Sequence, residues 1–276
     1  MPELPEVETI AAGVHQRVYG ARIVRVWTSG KPQTFKSPEP EIAAALTGAR
    51  IESVRRVGKT IVMTLHREKS STELLIHLGM TGRLLVSAPE VPLAPHTHAV
   101  LTLADNREIR FVDPRRFGRI SLHQPATDNL QPATFSGPGR EPLTISLTEF
   151  ITLFHPRRTP IKAALLNQSL LHGIGNIYAD ESLFRASIRP SRQAASLTRA
   201  ELARLRTALV KVLRHAIRLG GSSVSDYVDA DGARGFFQLR HRVYRRTDLP
   251  CLVCATPIRR INLAGRSTHF CPVCQK

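Results

Sequence analysis

For its first 250 residues this chain has no cysteine; all four thiols lie in the last 26 of 276 positions. A disulfide framework running through the main body is thereby excluded. Acidic residues are scarce as well. Twenty-two Asp and Glu face 39 Lys and Arg, a net charge of +17 and a pI of about 10.9. That excess exceeds what solubility needs and points to a polyanionic partner, nucleic acid before membrane. No apolar run approaches the ~20 residues of a membrane span. The acidic start is unlike a secretory leader, and repeats and low-complexity tracts are missing. The expectation is a soluble, intracellular protein. Its apolar content of 42% is ample for the cores of two modest domains.

The charges that are present are unevenly placed. The first eight residues carry three acids and no base. Residues 185–218 hold nine basic side chains against one acid, Glu201, and residues 234–276 hold nine against Asp248. Solvated faces are usually mixed in sign, so one-signed stretches favour phosphate contacts.

The chain opens Met1-Pro2-Glu3-Leu4-Pro5-Glu6-Val7-Glu8. Proline is small enough for the initiator methionine to be removed, which leaves a secondary amine followed at once by a carboxylate. An N-terminal amine titrates at about pH 7.7–8.0, so much of it is an uncharged nucleophile near neutrality. Its adduct with a sugar carbon is a cationic iminium, and Glu3 lies within reach as acid or base. The plainer alternative is that Pro2 and Pro5 stiffen a helix start while Glu6 and Glu8 complement the helix dipole.

Residues 5–18 read as a helix with Val7, Ile10, Val14 and Val18 on one stripe. Beyond it the period shortens. Residues 22–27, 60–65, 73–78, 99–103 and 108–112 are β-type runs, separated by turns such as Gly58-Lys59 and Asp105-Asn106. Roughly eight strands in ~100 residues imply a sandwich or barrel. Residues 124–142, rich in proline, glycine and polar groups, read as a linker. A helical pattern follows: 160–171, the turn Gly173-Ile174-Gly175-Asn176, then 177–186. Later, Thr198 and Glu201 form a capping box ahead of Leu202, Leu205, Leu209, Val212, Leu213 and Ala216, and Gly220-Gly221 stops that helix. The glycine turn suits a phosphate held on exposed amides at the second helix's start; equally, Gly173 and Asn176 could be ordinary caps.

Cys251-x2-Cys254 and Cys271-x2-Cys274 form two knuckles sixteen residues apart. This spacing predicts one tetrahedral zinc, preferred over two disulfides or four idle thiols. Four thiolates close the site, leaving no vacancy for His269, so the metal is expected to be structural. Arg259, Arg260 and Arg266 make the intervening hairpin basic.

Together these blocks resemble the formamidopyrimidine-DNA glycosylase/endonuclease VIII family from end to end. The resemblance is carried by Met1 to Thr9, His77-Leu78-Gly79-Met80-Thr81-Gly82, Asp113-Pro114-Arg115-Arg116-Phe117-Gly118, Gly173 to Glu181, and the ending Cys271-Pro272-Val273-Cys274-Gln275-Lys276. Leu4 is similar to the branch acting on oxidised purines; the sister branch usually has glycine there. The resemblance implies an α+β multidomain fold. A β-sandwich catalytic domain with flanking helices would span residues 1–130, a linker 131–145, a helix-two-turn-helix domain 146–238 and a zinc ribbon 239–276.

It also implies a bifunctional glycosylase and abasic-site lyase of base excision repair, removing 8-oxoguanine and formamidopyrimidines from damaged double-stranded DNA. Such an enzyme extrudes its target nucleotide from the stack. Pro2 would attack the sugar C1′, Glu3 would assist as proton donor, and β- then δ-elimination would follow. Lys59 takes the family's catalytic, phosphate-binding lysine position, and Arg266 would assist the second elimination. Met80, Arg115 and Phe117 would fill the gap left by the flipped nucleotide. His77, His96, Arg157, Asn176 and Tyr244 would hold the DNA backbone or the site. One structural zinc, a monomeric state and a bacterial cytoplasmic location, on the nucleoid when bound to DNA, complete the expectation. Alternatives are an endonuclease VIII-like glycosylase for oxidised pyrimidines and a non-catalytic zinc-ribbon DNA-binding protein; retention of Pro2, Glu3 and Lys59 argues against the latter. Three departures from the family pattern stand out: Arg157-Arg158 for lysines, Ala255 for glycine, and Gly235-Phe236-Phe237 for a glycine–tyrosine–phenylalanine run. The last lies near the loop, 220–237, expected to close over the extruded base.

Overall fold

The computed structural model describes residues 1–68, 70–123, 135–223 and 227–276. The chain divides into two compact units, Met1–Ser136 with Gly220–Gly235, and Gly137–Leu219 with Phe236–Lys276. Most of the stretch read as a linker, residues 124–134, lies outside the described residues, as do 224–226 of the 220–237 loop.

The first unit opens with α1 (Leu4–Val18), whose stripe Val7, Ile10, Ala11, Val14 and Val18 is buried. Strands β1 (Ile23–Thr28), β2 (Arg50–Val57), β3 (Thr60–Arg67), β4 (Ser70–His77), β5 (Arg83–Ser87), β6 (Thr97–Leu103), β7 (Glu108–Val112) and β8 (Arg119–His123) follow, with α2 (Glu39–Leu46) after β1. They form two antiparallel four-stranded sheets, ordered β1-β6-β7-β5 and β2-β3-β4-β8. Inward residues such as Ile61, Met63, Leu74, Ile76, Leu101, Ile109 and Phe111 share one core with α1. At roughly 1.5–3 kcal/mol for each large apolar side chain removed from water, this interior fixes strand register.

Segment Gly220–Gly235 belongs to this unit. Tyr227 and Ala230 are buried in its core, and the Val86 N–H donates to the Ala230 carbonyl at 3.2 Å. Arg17 on α1 pairs with Asp231. Gly235 approaches Gly220 so closely that a Cβ would stand 2.2 Å from the Gly220 oxygen, so no larger residue fits.

The second unit contains α3 (Leu147–Phe154), α4 (Ile161–Leu166), α5 (Asn176–Arg185), α6 (Arg199–Arg218) and a hairpin of β9 (Arg259–Leu263) and β10 (Arg266–Phe270). Thr198 and Glu201 close the capping box at α6, and Ser146 and Glu149 make another at α3. Arg192 and Thr198 together hold the Glu201 carboxyl down at about 2, the arginine contact being the larger influence. The first helix of the helix-turn-helix is shorter than its apolar pattern suggests. It stops at Leu166, and Gln168 organises the turns beyond by donating to the Leu166 and Ile174 carbonyls and accepting from the Gly173 N–H, each at 2.9 Å. Gly175, not Asn176, is the N-cap of α5.

Candidate active site

In the first unit Pro2 and Glu3 are buried at the head of α1, and the Glu6 carboxylate accepts the Glu3 N–H at 2.9 Å. The other Glu6 oxygen accepts the Ser222 N–H at 2.7 Å, and the Tyr227 hydroxyl reaches the Gly220 carbonyl at 3.0 Å. Glu6 thus ties the backbone of Glu3, next to Pro2, to the start of the 220–235 segment. Burial, reinforced by the Glu6 charge, pushes the Tyr227 phenol upward, so it serves only as a neutral donor.

Lys59 sits in the β2–β3 turn, and the register that follows pairs Thr60 with His77. Burial lowers the pKa of His77 below its ordinary 6.5, and the charges of Lys59 and Arg119 lower it further. Its Nδ1 accepts the Gly79 N–H at 3.1 Å, which favours the neutral ring with its proton on Nε2.

Met80, Arg115 and Phe117 stand on two adjoining loops and are exposed, Met80 at 42% and Phe117 at 47%. Neither side chain is placed in the core. The Arg115 guanidinium lies 4.7 Å from the centre of the Phe117 ring. One buried carboxylate holds both loops. Asp113 accepts from the Thr81 hydroxyl at 2.5 Å, the Gly118 N–H at 2.7 Å and the Arg115 N–H at 3.3 Å. Its own N–H donates to the carbonyl of exposed His96. Gly79, at a φ of +60°, passes so near Phe117 that a Cβ would lie 2.5 Å from its carbonyl carbon.

The second unit assembles a different surface. Lys162 and Asp180, 1% and 0% exposed, pair at 2.7 Å. The lysine ammonium also donates to the Ser267 carbonyl (2.7 Å) and the Thr268 hydroxyl (2.8 Å), and Asp180 accepts the His269 N–H at 2.9 Å. Asn176 donates its amide to the same Ser267 carbonyl at 2.9 Å. The glycine turn and the strand starting at Arg266 are therefore locked together, with Arg266 itself exposed. Tyr244 is placed by Glu181, whose buried Oε1 accepts the N–H groups of Arg242, Val243 and Tyr244 at 2.8–3.0 Å. Its ring rests between His241 and His269. Arg157 is exposed after α3, its backbone joined to Ala195.

The four cysteine sulfurs lie within 4.8 Å of one another. The Cys254–Cys271 and Cys251–Cys274 separations are 3.4 and 3.9 Å. Disulfides need about 2.05 Å, whereas tetrahedral zinc with ~2.3 Å bonds sets sulfurs about 3.8 Å apart. His269 is engaged with Asp180 and Tyr244 instead.

Comparisons with known proteins agree with this layout. Residues 1–120 match the formamidopyrimidine-DNA glycosylase N-terminal domain, 138–228 its H2TH domain, and 248–276 the zinc finger found in FPG and IleRS. The formamidopyrimidine-DNA glycosylase of Solibacter usitatus is 44% identical over the whole of both chains. The chain belongs to the formamidopyrimidine-DNA glycosylase family. It is a DNA-binding glycosylase of base excision repair with a structural zinc. Among solved structures of the family, the MutM (Fpg) protein of Thermus thermophilus matches with a TM-score of 0.84 at 42% identity, covering 99% of this chain and 98% of that one. Lactococcus lactis Fpg, in complex with DNA containing N7-benzyl-Fapy-dG, matches over all of both chains with a TM-score of 0.88 at 32% identity.

Of the departures from the family pattern, Phe237 is fully buried against Tyr178, His215 and His241, whereas Phe236 is 61% exposed. Ala255 adopts a positive φ of 60°, which explains the glycine usual there. Asp113, Gln168, Asp180 and Glu181 do not stand out individually in the sequence. Polar residues inside apolar-patterned segments are the available signal.

Proposed function

We propose that this glycosylase is bifunctional and acts on oxidised purines, 8-oxoguanine and formamidopyrimidines, in double-stranded DNA. With Met1 removed, the Pro2 nitrogen attacks the sugar C1′; that C–N bond forms as the glycosidic bond breaks, and the base departs with a proton supplied through Glu3. The C1′–O4′ bond then breaks as Glu3 donates a proton to O4′, which opens the sugar ring to a cationic iminium; this acidifies the C2′ protons, so the 3′ phosphate is expelled by β-elimination and the 5′ phosphate by δ-elimination. Lys59 and Arg266 bind phosphates and assist these steps. Met80, Arg115 and Phe117 occupy the vacated stack, while His77, His96, Arg157, Asn176 and Tyr244 hold the DNA backbone.

The observation that carries this reading is the terminal Pro2-Glu3 pair, held at the head of α1 by Glu6. The working form is a monomer in the bacterial cytoplasm, where its substrate lies. Residues 1–130 carry the chemistry, 131–145 link, 146–238 and the ribbon 239–276 grip the duplex, with Gly220–Gly235 working alongside the first unit. A lesion panel tests the assignment. Cleavage with borohydride trapping should be strongest on 8-oxoguanine and formamidopyrimidine duplexes. Preference for oxidised pyrimidines would move the chain to the endonuclease VIII-like activity, and tight binding without trapping would make it a binding protein.

A further inference from the structure

We propose that the exposed face of α6 is a second phosphate-binding track, a docking surface for the backbone of duplex DNA beyond the lesion site. Arg204, Lys211, Arg214 and Arg218 are all exposed along this helix. At 100° per residue they fall within about 80° of one another, on the side opposite the buried Leu202, Leu205, Leu209, Val212, Leu213 and Ala216. Only Thr207 interrupts the stripe, and no acid lies on it.

The solvated-helix explanation fails on pairing. An exposed helix face ordinarily interleaves both signs, because like charges three or four positions apart destabilise it. The one acid of α6, Glu201, is engaged by Thr198 and Arg192 at the helix start. Among the described residues, none of the four cations enters an ion pair or donates a side-chain hydrogen bond. Arg214 and Arg218 complement the helix dipole in its last turns, but Arg204 and Lys211 lie too far from the C-terminus for that. The field is concentrated further at that end, where Arg218, Arg185 and Arg240 help burial hold His215 below its ordinary pKa.

Duplex DNA fits this face better than other polyanions. From Arg204 to Arg218 the helix rises about 21 Å, the length of about six base pairs along one strand. A lipid surface is a poor match, because the apolar side of α6 is already committed to the core against α3 and α5 and has nothing to insert. The stripe also stands on a different element from Arg157, Asn176, Tyr244 and Arg266. It is therefore suited to DNA flanking the lesion or to the undamaged duplex along which a repair enzyme searches.

The test compares the full, zinc-loaded chain with the variant Arg204→Gln, Lys211→Gln, Arg214→Gln, Arg218→Gln. On long undamaged duplex the log–log salt slope of binding should become shallower by about 2–4, near 0.9 for each phosphate no longer neutralised. Excision from a lesion duplex of about one helical turn should stay within about twofold of wild type. Arg204→Gln with Lys211→Gln alone should give about half the change in slope, which keeps the test open if the fourfold variant folds poorly. An unchanged slope on long DNA overturns the proposal. So does an equal loss on short and long duplexes, which would fold the stripe into the lesion site. Protection of α6 from chemical modification by an acidic polypeptide but not by DNA would overturn it too. Loss of trapping on the short duplex by wild type would instead strike the proposed activity, so the two failures are distinguishable.

Discussion

Asp113 in the first unit and Asp180 in the second are both fully buried carboxylates that hold exposed residues in place, yet they are satisfied in opposite ways. Asp113 receives only neutral donors, a threonine hydroxyl and backbone N–H groups. Asp180 is paired with a buried ammonium. The neutral arrangement fixes two short loops that carry apolar, exposed side chains. The ionic one fastens two separate elements, the glycine turn and the zinc hairpin, across 105 residues of sequence between Lys162 and Ser267. On the proposed reading, a surface that enters a base stack needs a well-defined loop shape, whereas one that grips phosphates needs rigid spacing between distant parts.

The strongest blow to the second arrangement is removal of zinc. Structural zinc sites in small domains are worth roughly 10–16 kcal/mol of apparent binding energy, so chelation or Cys274→Ser should unfold the ribbon. Metal analysis should return one zinc per chain beforehand, and DNA binding should fall with its loss. Next comes the buried pair. Asp180→Asn leaves Lys162 charged in the interior and should cost about 3–5 kcal/mol in a urea melt of this unit. Asp113→Asn, with no buried cation to strand, should cost about 1–3 kcal/mol. Equal losses at the two aspartates would erase the distinction drawn between them.

Smaller effects separate shape from stability in the first unit. Met80→Ala should change stability by less than about 0.5 kcal/mol, as expected of an exposed side chain. It should slow excision of paired 8-oxoguanine while sparing cleavage at a preformed abasic site, since there no base must be extracted. Arg115→Ala should also blur discrimination of the opposite base. His77 supplies the least of these effects. Its folded pKa lies below 6.5, so the unfolded chain binds the proton more readily between those two values. Its contribution to stability is full above pH 6.5 and declines as pH falls through that window. An NMR titration midpoint at or above 6.5 would contradict the placement of Lys59 and Arg119 around it.

What the sequence discloses follows the range of the interactions concerned. The α1 stripe, the Thr198–Glu201 box, the alternating strands and the cysteine quartet are local patterns, and each appears where the pattern puts it. Residues 167–171 carry a helical apolar pattern without forming a helix, because Gln168 satisfies that turn through its side chain, which apolar periodicity does not report. The membership of Gly220–Gly235 in the first unit rests on contacts of Glu6, Gly13 and Val86 with residues more than 100 positions away. Nothing local in the sequence links Lys162 to Asp180, and only their mutual burial reveals the lock. The exposure of Met80 and Phe117 is likewise invisible to composition, which assigns such residues to cores.

The proposed function claims the chemistry for the amine of Pro2. Borohydride reduction during turnover of an 8-oxoguanine duplex, followed by peptide mapping of the adduct, tests it most directly. The mass of the trapped sugar should sit on the N-terminal peptide at Pro2, and a chain with a residue retained ahead of Pro2 should give neither adduct nor cleavage. An adduct on Lys59 or any other lysine, or full turnover by the N-terminally extended chain, would contradict the claim.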